Sequence, residues 1–381
     1  MKHALIVASV ASHIKQFCMN DAHILQEMGY KVDVAANFRN GNAIDSETIA
    51  AFEESLTAEG IDYYQINFTR DIKNLGEMRR SYKELASLLA DHPYDLIHCH
   101  TPIGGFLTRL CAKKYRKTST KVLYTAHGFH FFKGASTKNW LLFYPAEKFC
   151  AKWTDVLITI NQEDYALAKE KFHPGKVEYI PGVGIDLEKF HPGKYSTEEI
   201  AKTREQLGLK DGQKMLLSVG ELTPRKNHEL VIRALGSMQD PTLQYYICGC
   251  GELQDYLLSL SEALGLKDSI HLLGYRTDVD LLYACADLFV FPSKQEGLPV
   301  ALMEAIASGT PCMGSDIRGN NELLSSESLF KLKDVKSVSD LILSHTRALS
   351  GELVSDGLKR IQQYSITVVL NHMASIYRCL C

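Results

Sequence analysis

The run Phe291-Pro-Ser-Lys-Gln-Glu296-Gly-Leu-Pro299-Val-Ala-Leu-Met-Glu304-Ala decides the fold class. The residues at its head, Leu288–Phe291, are apolar throughout, the pattern of a strand covered on both faces of a parallel sheet. A Gly-Leu-Pro loop follows, and a helix is expected to open at about Val300. The same unit of strand, loop and helix recurs along the chain. Candidate strands at Ala4–Val10, Val32–Ala36, Tyr63–Phe68, Leu96–His100, Val122–Ala126, Val156–Ile160 and Val177–Ile180 alternate with helical stretches such as Asp21–Met28, Gly76–Ala90 and Gly104–Lys114. The alternation restarts at Lys214, with Met215–Val219, Gln244–Cys248, Ile270–Leu273, Leu288–Phe291 and Pro311–Gly314. Such a pattern implies an α/β protein with two doubly wound, Rossmann-like parallel sheets.

The division between them falls near Pro181–Lys194, where Gly182, Gly184, Pro192 and Gly193 interrupt the alternation. This gives an N-terminal domain over 1–185 and a C-terminal domain over 186–360. In 361–381 the apolar positions Ile361, Tyr364, Val368, Val369, Met373, Ile376, Tyr377 and Leu380 have helical spacing, so a C-terminal helix with one buried stripe is expected. That helix could pack on either domain, including by crossing back to the first. Doubly wound sheets bind ligands at the carboxyl ends of their strands, and a cleft between two facing edges is the expected site.

Composition narrows the function. Hydrophobic residues make up 45% and charged residues 23% of 381, which fits a globular protein and excludes a disordered chain. A net charge of −3 argues against a general nucleic-acid binder. No apolar run approaches the length of a membrane span, and Ala4–Val10 reads as a first strand, because it runs into Ser12-His13 and Lys15 with no cleavage site. The ten cysteines are scattered, and the close pairs Cys248/Cys250 and Cys379/Cys381 lack zinc-site spacing. Cys99, Cys111, Cys285 and Cys312 read as small buried hydrophobes, and the chain as reduced and cytoplasmic.

Three stretches carry the chemistry. The helix start near Val300 presents backbone N–H groups and a positive dipole end suited to phosphate, and Gly297 allows close backbone approach. Glu296 and Glu304, eight residues apart, suit sugar and ribose diols, though a turn and an ordinary helix glutamate also fit. Arg225 and Lys226, in Gly220-Glu221-Leu-Thr-Pro224-Arg225-Lys226-Asn227-His228, can clamp a diphosphate or stand as solvated cations. The turn Gly249-Cys-Gly251 permits tight backbone approach but is weak evidence alone.

This ordered set resembles the retaining glycosyltransferases of family 4. The matching motifs are E-x7-E at Glu296 and Glu304, the Arg225-Lys226 loop, the Gly-x-Gly turn and Ser315-Asp316-Ile317-Arg318-Gly319-Asn320. Asp95-Leu-Ile-His98-Cys-His100, Thr125-Ala-His127-Gly-Phe-His130 and Ile180-Pro-Gly-Val-Gly184 resemble the branch that builds bacterial capsule or exopolysaccharide. The resemblance covers essentially the whole chain and implies the GT-B fold. It implies that His127, Glu296 and Lys226 are catalytic. It further implies that Arg225, Gly297, Leu298, Pro299, Val300, Glu304, Tyr275 and Arg276 bind the nucleotide sugar, with Tyr275-Arg276 meeting the base mainly through backbone. Glu221 stands where many members have an arginine, and Ser9–Ser12 lacks the paired glycines of many relatives.

The resemblance implies transfer of a hexose or N-acetylhexosamine from a nucleoside diphosphate sugar, UDP ahead of GDP, with retention, no cofactor and no metal. The donor's departing phosphate would itself help deprotonate the acceptor. Asp278-Val-Asp280 imitates a metal-binding DxD, but a capped helix start with an acidic first turn explains it better. His98, His100 and His130 are weaker candidates beside His127.

Residues 96–153 hold ten Lys and Arg and a single acid, Glu147, a net of +9. Phe129, Phe131, Phe132, Trp140 and Phe143 interleave with them. That mixture suits an anionic membrane surface, or a solvated face over an aromatic core. The expected partners are a nucleotide sugar, a lipid diphosphate-linked saccharide acceptor and the inner face of the cell membrane, with no nucleic acid. Two other readings stay open: a GT-B-type UDP-N-acetylglucosamine epimerase, and a non-catalytic sugar-nucleotide-binding partner of another transferase.

Overall fold

The apolar runs become the central strands of two parallel sheets. In the computed structural model, residues 1–69, 71, 73–117, 119–347 and 351–380 are described, with only the backbone at residues 117 and 347. The charge of Lys117 and the second half of the Cys379/Cys381 pair therefore lie outside the described residues. The first sheet contains β1 (Lys2–Val10), β2 (Tyr30–Asn37), β3 (Asp62–Gln65), β4 (Leu96–His100), β5 (Lys121–Ala126), β6 (Val156–Thr159) and β7 (Lys176–Tyr179). Their spatial order is β3-β2-β1-β4-β5-β6-β7, parallel throughout. The second contains β8 (Lys214–Val219), β9 (Leu243–Cys248), β10 (Ile270–Gly274), β11 (Leu288–Phe291), β12 (Cys312–Ser315) and β13 (Leu329–Phe330). Its order is β10-β9-β8-β11-β12-β13, again parallel.

Burial explains the apolar runs. Ala4 through Ala8 of β1 and Met215 through Leu217 of β8 are fully buried, because helices cover both faces of each sheet. Each sheet has its own core, one around Leu5, Val7, Leu85 and Leu107, the other around Leu216, Val231, Ile247 and Val290. In each, the strand order reverses beside the first strand, between β1 and β4 and between β8 and β11. Connections leave in opposite directions there, which opens a crevice at the carboxyl ends.

Several local expectations shift. Strand β3 stops at Gln65, and Ile66 and Phe68 fill the core from a loop instead. The expected loop at Ser9–Ser12 is absent: β1 runs directly into the helix Ala11–Phe17. The expected C-terminal helix over 361–381 breaks at Ser365, leaving a 3-10 turn, Gln362–Tyr364, and the helix Ile366–Arg378. Asp278 precedes the helix Val279–Cys285 without capping it, because Arg276 holds its carboxylate through bonds of 2.8 and 2.5 Å.

The chain divides into one unit of Met1–Val183 plus the segment from Thr367, and another of Gly184–Ile366. The sequence division was drawn at 185 and 360. Two bonds move it: Ile185 N–H donates to Tyr364 C=O at 2.9 Å, and Ile366 N–H donates to Ile185 C=O at 2.8 Å. At Gly184, with φ +86°, a Cβ would lie 2.9 Å from the Ile366 Cα, so a glycine is required for this crossing. The helix Ile366–Arg378 belongs to the first unit and buries Val369, Met373, Ile376 and Tyr377. No helix among the described residues is long and apolar enough to cross a membrane.

Candidate active site

In the second unit the crevice between β8 and β11 gathers the residues singled out from sequence. Glu296 lies five residues past the end of β11, and its Oε1 accepts three bonds. Arg225 Nη1 and Lys226 Nζ each donate to it at 2.9 Å, and Ser293 Oγ donates at 2.7 Å. Lys226 Nζ also lies 4.8 Å from the Phe291 ring centre, a cation–π contact that holds it at the strand end. The Glu296 and Lys226 side chains are largely buried, at 11% and 13% exposure, while Arg225 keeps 43%. Glu221 reaches Arg225 only at 3.9 Å and is mostly exposed.

Backbone packing fixes this loop. Arg318 Nε donates to the Glu296 C=O at 3.0 Å. Gly319 sits at φ +84°, and a Cβ there would stand 2.5 Å from the Gly297 oxygen. Leu298 is buried beneath the loop, and Pro299 precedes the helix Val300–Ala307 with no side-chain cap. The first N–H groups of that helix are therefore available to an anion.

Glu304, on the same helix, accepts a bond from Tyr283 OH at 2.9 Å. Burial raises its carboxyl to about 7, partly offset by the Tyr283 bond. The Gly249 and Gly251 turn has a structural purpose. A Cβ at Gly249 would lie 2.0 Å from the Gly220 oxygen, and one at Gly251 would lie 2.5 Å from the Leu222 oxygen. Tyr275 is 75% exposed, whereas the Arg276 side chain is tied to Asp278. Asp280 likewise accepts bonds from Lys194 and from Tyr195 OH, so its carboxylate anchors the connecting chain.

In the first unit, His98 and His100 alternate along β4, and His127 follows β5. His100 Nδ1 and His127 Nε2 share a hydrogen bond of 3.1 Å. Thr101, at φ +63°, bonds through Oγ1 to both the backbone N–H and the hydroxyl of Ser9, which ties the end of β4 to β1. His98 is satisfied on both sides, through Nδ1 to Tyr377 OH at 2.7 Å and through Nε2 to Thr125 Oγ1 at 2.8 Å. His130 packs instead against Phe143, its ring centre 4.6 Å away.

Three members of this cluster escaped the sequence reading: His13, whose ring meets His127 edge-on at 4.7 Å, Asp21 and Tyr377. His13 was open to detection, because it lies just past the first strand. Asp21 and Tyr377 carry no local signal, and only folding brings them to β4. Burial pushes His98 down to about 3 and His127 to about 4, lowers His100 well below its ordinary range, and raises Asp21 to about 7. Donor atoms of His13, Cys18 and His100, and of Asp21, His98 and His100, lie within 4.8 Å of one another. Both His98 nitrogens are already bonded, and burial drives the Cys18 thiol up, so the cluster is built as a hydrogen-bond network.

The basic stretch of the first unit is reshaped by folding. Arg109 is buried and donates to Glu147 at 2.8 Å, and Arg116 donates to Asp155 at 2.7 Å. Phe129 and Phe131 are core residues, which fits the alternative of a solvated face over an aromatic core for that part of the stretch. Lys113, Lys114, Lys121 and Lys133 of that stretch are exposed, as is one stripe of the helix Thr137–Ala151 and its end that includes Lys138, Leu141, Leu142, Lys148, Phe149 and Lys152.

Comparison with known proteins places these features. The model "Glycosyl transferases group 1" matches residues 199–351, and "Glycosyltransferase Family 4" matches residues 16–189. EpsD of Bacillus subtilis (strain 168), named as a glycosyltransferase, is 34% identical over 99% of this chain and 96% of its own. The Escherichia coli UDP-Gal:alpha-D-GlcNAc-diphosphoundecaprenol alpha-1,3-galactosyltransferase is 33% identical over 73% of this chain and 72% of its own. The crystal structure of Anabaena Alr3699/HepE in complex with UDP and glucose superposes with a TM-score of 0.78 at 18% identity, covering all of both chains. That likeness establishes the architecture, GT-B.

Proposed function

The chain belongs to the family 4 glycosyltransferases, and from that premise we propose that it moves a hexose or N-acetylhexosamine from a UDP-linked donor, with retention, to a hydroxyl of a lipid diphosphate-linked saccharide. The product is a segment of capsule, exopolysaccharide or a related surface glycan. The observation that carries this reading is the convergence of Arg225, Lys226 and Ser293 on one oxygen of Glu296, beside an uncapped helix start. A carboxylate that needs three donors marks a pocket of positive charge. A sugar diphosphate supplies the same negative charge in the same place. On donor binding, Lys226 and Arg225 turn to the diphosphate, the helix start takes a phosphate oxygen, and Glu296 is left to hold sugar hydroxyls. Glu304 accepts from the ribose diol, and Tyr275-Arg276 meet the base along the backbone. Arg225, Lys226 and the helix start supply the positive charge the leaving group needs, so the reading calls for no metal ion or cofactor.

Support for the donor and acceptor comes from the names and contents of relatives: UDP-galactose and a diphosphoundecaprenol saccharide for the Escherichia coli enzyme, UDP and glucose for the Anabaena structure. A lipid-linked acceptor is met at a membrane surface. The exposed stripe of the helix Thr137–Ala151 joins apolar and basic side chains as peripheral contact with an anionic inner leaflet requires. The test is a panel of nucleotide sugars scored by nucleotide release, with and without lipid-diphosphate saccharides. Acceptor-dependent release with one UDP-sugar is expected, and Glu296→Ala and Lys226→Ala should each lower it at least about a hundredfold while leaving the circular dichroism unchanged. Transfer at wild-type rates by both variants would remove this site assignment.

A further inference from the structure

The hydrogen-bond network of the histidine cluster leaves one of its nitrogens out. His100 is 1% exposed, and its Nδ1 is engaged with His127 Nε2 at 3.1 Å. Its Nε2 is buried and has no hydrogen-bond partner among the described residues. A buried polar atom left without a partner is costly, so its surroundings call for an explanation.

Two further groups that bind metals stand around that nitrogen, all within the first unit. His13 lies on the helix Ala11–Phe17, and Cys18 at the bend between it and the helix Met19–Glu27. The Cys18 S–H turns back to the His13 C=O at 3.8 Å, which keeps the sulfur beside that histidine. A ring nitrogen of His13, the Cys18 Sγ and a ring nitrogen of His100 all lie within 4.8 Å of one another. The second triplet, Asp21, His98 and His100, is closed to a metal, because Tyr377 and Thr125 hold both nitrogens of His98. The first triplet does not use His98.

We propose that His13, Cys18 and His100, the last through Nε2, are the three protein ligands of a zinc site at the carboxyl end of the first sheet, with water in the fourth position. Two imidazoles and a thiolate are the donor set zinc selects, whereas magnesium and calcium require oxygen ligands. Zinc–sulfur and zinc–nitrogen bonds of about 2.3 and 2.0–2.1 Å set tetrahedral ligand atoms about 3.4–3.6 Å apart, so the three donors draw in by at most about 1.4 Å. The charges also balance. Zinc brings two positive charges, the Cys18 thiolate one negative charge, and the carboxylate of Asp21 the other, its Oδ2 standing 3.9 Å from His100 Nε2. On loading, the Cys18 thiol gives its proton to solvent and the sulfur bonds to zinc, with nothing oxidised or reduced. Burial raises that thiol, so proton and metal compete for the sulfur. His127 is the outer partner: with zinc on His100 Nε2, the proton sits on His100 Nδ1 and is donated to His127 Nε2. His13 and Phe17 are only half-buried and leave a way in from solvent. The ion stands apart from the glycosyltransfer chemistry, whose positive charge comes from Arg225, Lys226 and a helix start in the second unit.

The experiment titrates the full chain, first stripped with a chelator, with Co2+ as a spectroscopic stand-in for zinc and then with Zn2+. One equivalent of Co2+ should give a near-ultraviolet thiolate-to-cobalt charge-transfer band, and Zn2+ should displace it. Cys18→Ser should remove the band, and His100→Gln should weaken metal affinity at least about tenfold. Cys250→Ser combined with Cys379→Ser, which removes two exposed thiols, should leave the band unchanged. Nitrogen NMR on the wild-type chain labelled with 15N-histidine does not depend on how the variants fold. Zn2+ should shift the ring nitrogens of His13 and His100 and leave those of His98 in place, and Mg2+ should shift none of them. A charge-transfer band that survives Cys18→Ser, a wild-type chain with no saturable metal uptake, or His13 and His100 resonances that zinc does not move would each overturn the site.

Discussion

Glu304 shows how a single buried side chain can cost stability once it is ionised. Its carboxyl rises from 4.5 to about 7 because the helix Val300–Ala307 buries it, with Tyr283 as its hydrogen-bond partner. The folded chain therefore binds that proton more tightly than the unfolded chain. The penalty for ionisation is absent below about 4.5 and complete above about 7, where one pKa unit corresponds to about 1.4 kcal/mol. Glu304→Gln keeps the Tyr283 bond and removes the charge. Its thermal midpoint should match the wild type in acid and exceed it progressively through neutral pH, while its affinity for UDP falls. A midpoint difference that is flat with pH would show that Glu304 is not the strained group. Glu296, Lys226 and Glu304 were legible in the sequence because each lies within one strand–loop–helix unit, where spacing sets geometry. Asp21 and Tyr377 were not, because they reach His98 and His100 from elements far apart in the chain.

At the level of elements, glycines and one helix decide what the loops can do. Gly319 lets the Ser315–Asn320 turn lie against Gly297, and Gly249 and Gly251 let the turn after β9 lie against the turn after β8. The Gly-x-Gly turn is thus read better as packing than as ligand approach. The helix Thr137–Ala151 gives a different lesson. Its sequence looked like aromatic residues mixed with cations, and folding sorted them. Phe131 went to the core, Trp140 and Tyr144 packed beside it, and Leu141, Leu142 and Phe149 were left outside. Membrane contact through this stripe predicts cosedimentation with anionic vesicles at low salt. Leu141→Glu with Phe149→Glu should weaken it at least about tenfold and leave transfer to a short, water-soluble acceptor unchanged. Equal binding by the double variant would move the contact elsewhere.

For the whole molecule, the net charge of −3 hides a division between +9 over residues 96–153 and −12 over the remainder. Folding trims the basic side, since Arg109 and Arg116 are spent on Glu147 and Asp155. The C-terminal helix ties the ends of the chain together. Deleting the residues from Thr367 onward would expose partners of Val369, Met373, Ile376 and Tyr377. At about 1.5–3 kcal/mol for each buried apolar side chain, that loss is comparable with the stability of a typical domain, about 5–15 kcal/mol. Limited proteolysis of the truncated chain should cut within residues 1–183 and spare 184–366, and equal protection of both units would contradict this. The sequence by itself determined the two parallel sheets, their helical covering and the donor-side motif. Each follows from hydrophobic periodicity or from residues within one short stretch, where local stereochemistry is enough. Tertiary structure alone decided which unit takes the last helix, which aromatics stay exposed, and that Asp21, His98, His100 and His127 gather in one cluster. Those outcomes depend on contacts between distant segments, and side-chain burial and pairing are settled only when the strands take their order in the sheet.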